Sequence, residues 1–334
     1  MSEYKNIIGT HIKTVTADPP NPENGQMWYN STTKVVKGFT ANPAGAWAAG
    51  GNLNTAREWA GDMSIGTQTS SLVTGKGPPG SGETESYNGT SWTEVEDLNS
   101  GRYNASGVGP SNTSALAFGG EAYPNPSPYY RANTETWNGS GWTEVADLNT
   151  GKQYMGSAGN VTSALAFGGE EGPTGSTRID NNESWNGSAW TEVADMNEAQ
   201  RFRGGAGASN TAAIAFGGEV SPANVEIWNG SSWTETTNLN TGRYGMASSG
   251  SSSTSAIGAG GAPGTPGATE EWNGSTWTEK GDLSTGRRYL AGGGTASAAL
   301  AIGGTTGTAS NATEEFSAIC NSLFNVLRQV IIYT

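Results

Sequence analysis

The feature that most constrains this chain is an internal repeat. The segment Thr136-Trp-Asn-Gly-Ser-Gly-Trp-Thr-Glu-Val-Ala-Asp-Leu-Asn-Thr-Gly-Lys152 returns as Ser184 to Asn197, Ile227 to Arg243 and Glu271 to Arg287, with a weaker copy from Ser86 to Arg102. The second Trp of each copy (Trp92, Trp142, Trp190, Trp233, Trp277) is spaced from the next by 50, 48, 43 and 44 residues. Self-similarity at such a period marks a chain built from stacked supersecondary units. A second marker travels with the first: a short apolar run closed by two glycines, as in Ala115-Leu-Ala-Phe-Gly-Gly120, Ala164 to Gly169, Ala213 to Gly218 and Ala299 to Gly304. Ala256 to Gly261 is a looser copy and Ser71 to Gly77 a degenerate one.

Each unit reads as four strands. Strand a follows a basic residue, as in Arg102 to Val108. Strand b is the Ala-Leu-Ala-Phe run, too short for a helix and apolar on both faces. Strands c and d are Glu135–Trp137 and Trp142–Val145, joined through Asn138-Gly139-Ser140. Asn-Gly is a strong hairpin signal, because a type I′ turn needs φ > 0 at both central residues. Glycine numbers 51 of 334 residues, and it disfavours helix throughout.

Four-strand units with a diglycine after strand b and aromatics on c and d resemble the kelch repeat of β-propellers. The resemblance covers roughly residues 44–318, although Trp stands where kelch units commonly carry Tyr on strand c; only Tyr87 fits. It implies a propeller with strand a lining a central channel and strand d outermost. Six copies of strand b predict six blades. After the last diglycine the sequence supplies a strand c, Thr313–Phe316, but no Trp-bearing strand d. Ala46-Trp47-Ala48 looks like a strand d with no strand c before it. The expected fold is therefore all-β: a six-bladed kelch-like propeller closed by an N-terminal strand, with a small N-terminal extension. Such closure removes exposed sheet edges.

Three regions follow: 1–43, the propeller 44–318, and an apolar tail 319–334. The first holds an extended Pro19-Pro20-Asn21-Pro22 stretch. Asn24 to Phe39 follows, reading as two strands around an Asn-Ser-Thr-Thr turn. That stretch resembles a segment common near the ends of phage tail-fibre and virion-appendage proteins; its other reading is a hairpin packed on the propeller rim. In the tail, Leu323, Val326, Leu327 and Val330 sit at helical spacing, whereas Ile331-Ile-Tyr333 suits a strand.

Composition excludes several functions. There is one His (His11) and one Cys (Cys320), so no intrachain disulfide, no Cys/His zinc cluster and no Ser/His/Asp triad within the repeats is available. The two-His copper site of the galactose oxidase family, which some kelch propellers resemble, is unavailable for the same reason. The Ser-x-Asp turn of sialidase propellers is also missing. A paired-carboxylate glycosidase site stays open, although no pair stands out. Seventeen basic against 30 acidic residues give a net charge of −13, which opposes binding to phosphate backbones. No stretch reaches the ~20 apolar residues of a membrane helix. The N-terminal Met-Ser-Glu-Tyr-Lys-Asn lacks a secretory h-region. No enzyme, cofactor or metal is expected.

Two sets of candidate binding residues remain. A basic residue recurs after strand d: Arg57, Arg102, Lys152, Arg201, Arg243 and Arg287. These would ring one channel mouth, or else pair with Asp97, Asp147, Asp195 and Asp282 or with Glu121, Glu170 and Glu219. The b–c loops, in contrast, do not repeat. From the second Gly to the strand c aromatic the gap is 17 residues after Gly120 and 16 after Gly169, against 10 to 12 after Gly218, Gly261 and Gly304. The inserts offer Tyr123, Tyr129, Tyr130, Arg131 and Arg178, residue types suited to recognition on variable loops. The Asn-Gly-Ser/Thr turns match glycosylation sequons, but their place in the c–d hairpin explains them.

The expected function is that of a non-enzymatic phage virion appendage, made in the host cytoplasm and exposed on the particle. Residues 1–43 would contact other virion proteins, and the propeller would bind a host-surface glycan or protein, with copies associating as a homo-oligomer. The alternatives are a passive decoration protein and a bacterial kelch-type scaffold.

Overall fold

The computed structural model describes residues 12–19, 26–42, 44–59, 63–77, 81–122, 130–172, 177–264, 266–318 and 320–326. All regular structure among them is β-strand. The chain divides into two compact units, Met1–Gly45 with Ala318–Thr334, and Ala46–Ser317.

In the first unit, β1 (Lys13–Val15) pairs parallel with β2 (Met27–Asn30), and β2 pairs antiparallel with β3 (Val35–Asn42). Asn30 Oδ1 accepts from the amides of Thr32 and Thr33, which closes the β2–β3 turn in the manner of an Asx turn. Asp18 accepts from Trp28 Nε1 (2.9 Å), Asn30 Nδ2 (2.8 Å) and Lys37 Nζ (2.6 Å). These donors, Lys37 foremost, hold its carboxyl down at about 2. The fourth strand of this sheet comes from the far end of the chain, β30 (Cys320–Val326), antiparallel to β3. Leu323 and Val326 thus lie in a strand rather than a helix, because β3 offers a free edge to pair with. Leu327, Val330 and Ile331–Tyr333 lie outside the described residues.

The second unit is a series of small antiparallel sheets. Its first holds β5 (Met63–Thr67), β6 (Ser70–Lys76), β7 (Ser81–Tyr87) and β8 (Trp92–Val95). The next holds β9 (Ser106–Ser111), β10 (Ser114–Phe118), β11 (Thr134–Trp137) and β12 (Trp142–Glu144). Then come β13 (Gly156–Asn160), β14 (Ser163–Phe167), β17 (Asn182–Trp185) and β18 (Trp190–Val193), with a small ribbon of β15 (Glu170–Glu171) and β16 (Thr177–Arg178) between them. The remaining sheets are β19 (Gly204–Ser209) to β22 (Trp233–Glu235), and β23 (Ala247–Ser252) to β26 (Trp277–Glu279). In the last group, β27 (Ala291–Thr295), β28 (Ala298–Ile302) and β29 (Thr313–Ser317) are joined by β4 (Ala46–Ala49), with Trp47 opposite Phe316.

The first strands of successive sheets touch one another in the order β5, β9, β13, β19, β23, β27 and back to β5. Small side chains allow this approach. A Cβ at Gly205 would lie 2.0 Å from Ser157 O, on the first strand of the neighbouring sheet. The second strands other than β6 are apolar on both faces, and Leu116, Ala117 and Phe118 are fully buried between neighbouring sheets. The diglycines that follow bend the chain out: Gly119 and Gly120 take φ of 66° and 100°, and a Cβ at Gly120 would meet Tyr103 O at 2.7 Å.

Neighbouring sheets are pinned through indoles. Trp92 Nε1 donates to Thr313, Trp190 Nε1 to Thr134 and Trp47 Nε1 to Thr269, each at 3.0 Å. The equivalent positions before Trp142, Trp233 and Trp277 are Thr84, Asn182 and Val225, and these three indole N–H groups find no partner among the described residues.

Candidate functional site

The four-strand groups of the second unit have two unlike ends. At one end lie the a–b and c–d turns, and none of them carries a charged residue: the a–b turns run through 66–70, 109–114, 159–163, 207–212, 250–255 and 294–298, the c–d turns through 88–91, 138–141, 186–189, 229–232 and 273–276. Their polar groups satisfy one another. In each c–d turn the Asn Oδ1 caps the backbone, as Asn138 accepts from the amides of Ser140 and Gly141. A cavity of about 280 Å³ opens here, lined mainly by glycine and other small residues of the first strands. The chain enters and leaves this unit at Ala46 and Ser317, where a c–d turn would stand in the last group.

The other end holds the d–a and b–c segments, and most of the charged predicted site lies there. The recurrent basic residues do not form an open ring. Arg57, Arg102, Lys152, Arg243 and Arg287 are all buried, and each pairs with a buried glutamate two residues before the strand c aromatic: Glu85, Glu135, Glu183, Glu270 and Glu314. Neither expected set of partners supplies these contacts. Taking both charges out of water is costly, so the geometry must compensate. Around Glu135 it does, with Arg102 Nη1 at 2.7 Å, Asn99 N at 2.8 Å and Asn99 Nδ2 at 2.9 Å. Burial pulls the Arg102 guanidinium down while Glu135 opposes that shift. These pairs clamp the entry loop of strand a onto strand c and have no free charge for a ligand.

Arg201 departs from this set. Gln200 occupies the backbone slot that Lys152 and Arg243 fill elsewhere, and its carbonyl accepts from Gly169 N as that of Lys152 does from Gly120 N. The buried partner of Glu226 is Arg203 instead, at 2.6 Å, reaching in from three residues further on. Arg201 is therefore free to face outward. It bonds Glu170 and Glu219, and Glu219 also accepts from Arg178 Nη2 at 2.6 Å. Tyr130 Oη donates to Glu170 at 2.9 Å. The structure thus joins Tyr130, Arg178 and Arg201 through two glutamates. Tyr130 is buried and Arg131 half-buried, its amide bonded to Gly120 O. Tyr123 and Tyr129 lie outside the described residues.

The electrostatics follow from these contacts. The hydrogen bond from Arg201, with Arg178 behind it, lowers the Glu219 carboxyl. Burial raises the Tyr130 phenol to about 12, with Glu170 adding to it. Burial also raises Glu121, and the Glu170 charge pushes the same way. Arg201 would be lowered by burial, but Glu219 and Glu170 more than offset that and raise it.

One element was not anticipated. Two residues after each buried basic slot, the chain takes a left-handed backbone: Trp59 (φ 60°), Asn104 (55°), Tyr154 (54°), Phe202 (61°), Gly245 (61°) and Tyr289 (56°). Their peptide groups form a chain of bonds from sheet to sheet: Asn104 N to Trp59 O, Tyr154 N to Asn104 O, Phe202 N to Tyr154 O, Gly245 N to Phe202 O and Tyr289 N to Gly245 O. Gly and Asn suit this conformation, but a bulky aromatic there is strained by about 1–3 kcal/mol. Four of the six positions are nonetheless aromatic. Trp59 stacks on Tyr289 with ring centroids 3.6 Å apart, and Tyr154 lies 4.1 Å from Phe202. Arg201 sits over Phe202 at 5.2 Å and Arg288 over Tyr289 at 5.3 Å. Beneath this cap is a cavity of about 30 Å³. The positions escaped the sequence reading because Trp, Asn, Tyr, Phe, Gly and Tyr share no residue type, only a backbone conformation.

No protein-family model and no curated protein matches the chain. Among solved structures, that of YjhT is similar: the match covers 84% of this chain and 100% of that one, with a TM-score of 0.64 and 14% identity. At that identity the likeness speaks for the fold alone. The chain has an all-β, β-propeller-like fold.

Proposed function

We propose that the second unit is a six-bladed, kelch-like propeller closed by β4, and that the chain is a non-enzymatic appendage of a phage particle. The six four-strand groups, the cyclic order of their first strands and the β4–β29 pairing support the first part. In the second part, residues 1–43, together with β30, attach the protein to other virion proteins, and the propeller presents its b–c end to a host-surface glycan.

The observation that carries this reading is the inequality of the two ends. The chain leaves the second unit at the end made of neutral, self-satisfied turns. Exposed charge, non-repeating loops and half-buried aromatics are gathered at the other end. Variable loops on a repeated scaffold suit recognition, and an acidic, weakly apolar exterior suits a protein exposed on a particle.

The test is binding of fluorescent full-length chain to intact candidate host cells, beside a variant whose 123–131 and 171–180 loops are replaced by short Gly-Ser turns. Saturable binding that the folded variant loses is the expected result. Absence of binding by the folded full-length chain would overturn the reading in favour of a decoration or connector protein.

A further inference from the structure

We infer that the aromatic cap formed by Trp59, Tyr154, Phe202 and Tyr289 is itself the ligand platform of this end, and that it takes a pyranose ring. This deepens the proposed function and rests on its choice of end.

Gly245 and Asn104 occupy two of six equivalent left-handed positions and are the residues such a backbone favours. Had the backbone alone decided, all six would be Gly or Asn. Four carry large rings, and residues held in sparsely populated conformations concentrate at ligand clamps. The rings are also half-buried, whereas core aromatics of this unit such as Phe118, Phe167 and Phe216 are fully enclosed.

The surroundings favour a sugar over a peptide. The cavity beneath the cap, about 30 Å³, has room for about one water and none for a side-chain anchor of the kind that dominates protein contacts. Flanking polar groups come in both signs. Arg201 is already neutralised by Glu170 and Glu219, while Arg288 lies over Tyr289 with no carboxylate bonded to it among the described residues. Guanidinium donors beside carboxylate acceptors suit hydroxyls, which donate and accept. The apolar C–H face of a pyranose suits aromatic faces, and few polar groups around an apolar platform are enough to orient it.

Calorimetric titration and saturation-transfer NMR on the full-length chain test this, using the methyl glycosides of glucose, galactose, mannose and N-acetylglucosamine, with glucuronate and galacturonate as acidic counterparts. The expected result is saturable binding of at least one of them, with the strongest transfer to the ring C–H protons. Tyr154→Gly and Phe202→Gly are expected to weaken it at least tenfold while the melting temperature holds or rises, because glycine suits the left-handed backbone that Gly245 already adopts. The neutral and acidic arms separate the two sources of the same ring chemistry. No saturable binding by any probe, unchanged affinity in both variants, or a marked loss of melting temperature in both would overturn the inference, the last by making the rings a structural plug. A protease-sensitive host-cell ligand with no glycoside binding would assign the end to a protein partner and overturn it too. Cell binding lost on loop replacement without any glycoside binding would sink the cap while sparing the proposed function; glycoside binding without cell binding would do the reverse.

Discussion

The two ends of the propeller-like unit are built from the same repeat yet diverged under different constraints. At the turn end the c–d hairpins are nearly identical, and the a–b turns drift in sequence without one of them acquiring a charge. Backbone geometry dictates that economy. The first strand of each group carries a glycine one or two residues before its end, because the hairpin folds back so tightly that a Cβ at Gly159, for example, would lie 2.2 Å from Ser163 O. At the other end the backbone path is equally repeated, down to six left-handed residues bonded in series, but the side chains on it vary freely. Repetition therefore marks where the chain makes its own structure, and variation on a repeated path marks where the surface is available for something else.

The largest energetic difference between the ends lies in the layer of buried ion pairs that clamps the variable end. Glu135→Ala would leave Arg102 charged and unpaired in the interior, and chemical denaturation should show a loss of about 3–5 kcal/mol. The double replacement Arg102→Met with Glu135→Leu should recover much of it, because an apolar pair carries no desolvation cost; an equal loss in the double variant would mean that the clamp's geometry, rather than its charge, matters.

Next in size is the turn end. Gly159→Ala should cost about 1–3 kcal/mol from the positive φ alone, and more from the contact with Ser163 O, with no change in ligand binding. A binding defect in a folded Gly159→Ala protein would erase the division of labour between the ends.

The indole pins between sheets give a smaller effect with opposite signs in two places. Thr134→Val removes the acceptor of Trp190 Nε1 and should destabilise by about 1–2 kcal/mol. Val225→Thr offers Trp277 Nε1 the acceptor it lacks and should stabilise by about 1 kcal/mol at most. Thermal unfolding of the two variants side by side checks both signs.

The smallest change concerns pH and belongs to the charged end, since the turns at the other end contain no titratable group. Glu121 has a raised folded-state value, so the folded protein favours its protonated form. Its favourable contribution is full below the ordinary carboxyl value and disappears as pH rises through the raised one. Glu121→Gln should therefore gain stability relative to the parent only above that range, with the gain absent at low pH. Half-exposure and solvent screening keep the effect small. A gain equal at all pH values would assign it to packing rather than to charge.

Much of this was legible in residue patterns. Strand b could be read from its apolar runs, the c–d hairpin from Asn-Gly, and a β4-like strand from the unmatched Trp47, because each is a local consequence of period, turn chemistry or residue count. Even the buried glutamates were in view: one recurs two residues before every strand c aromatic, at Glu85, Glu135, Glu183, Glu226, Glu270 and Glu314. What the pattern could not disclose was the partner, since Arg102 and Glu135 are 33 residues apart and nearer acids looked equally available.

Local physics thus settled the strands, the turns and the all-β class of this protein within its sequence. Tertiary structure alone decided which charges are hidden and which are offered. Arg201 escapes the interior only because Arg203 reaches Glu226 from another position, a substitution of reach for register that no alignment of repeats displays. Trp59, Tyr154, Phe202 and Tyr289 become one surface only because the starts of their strands converge, and convergence of residues up to 230 positions apart is a property of packing, not of any stretch of chain.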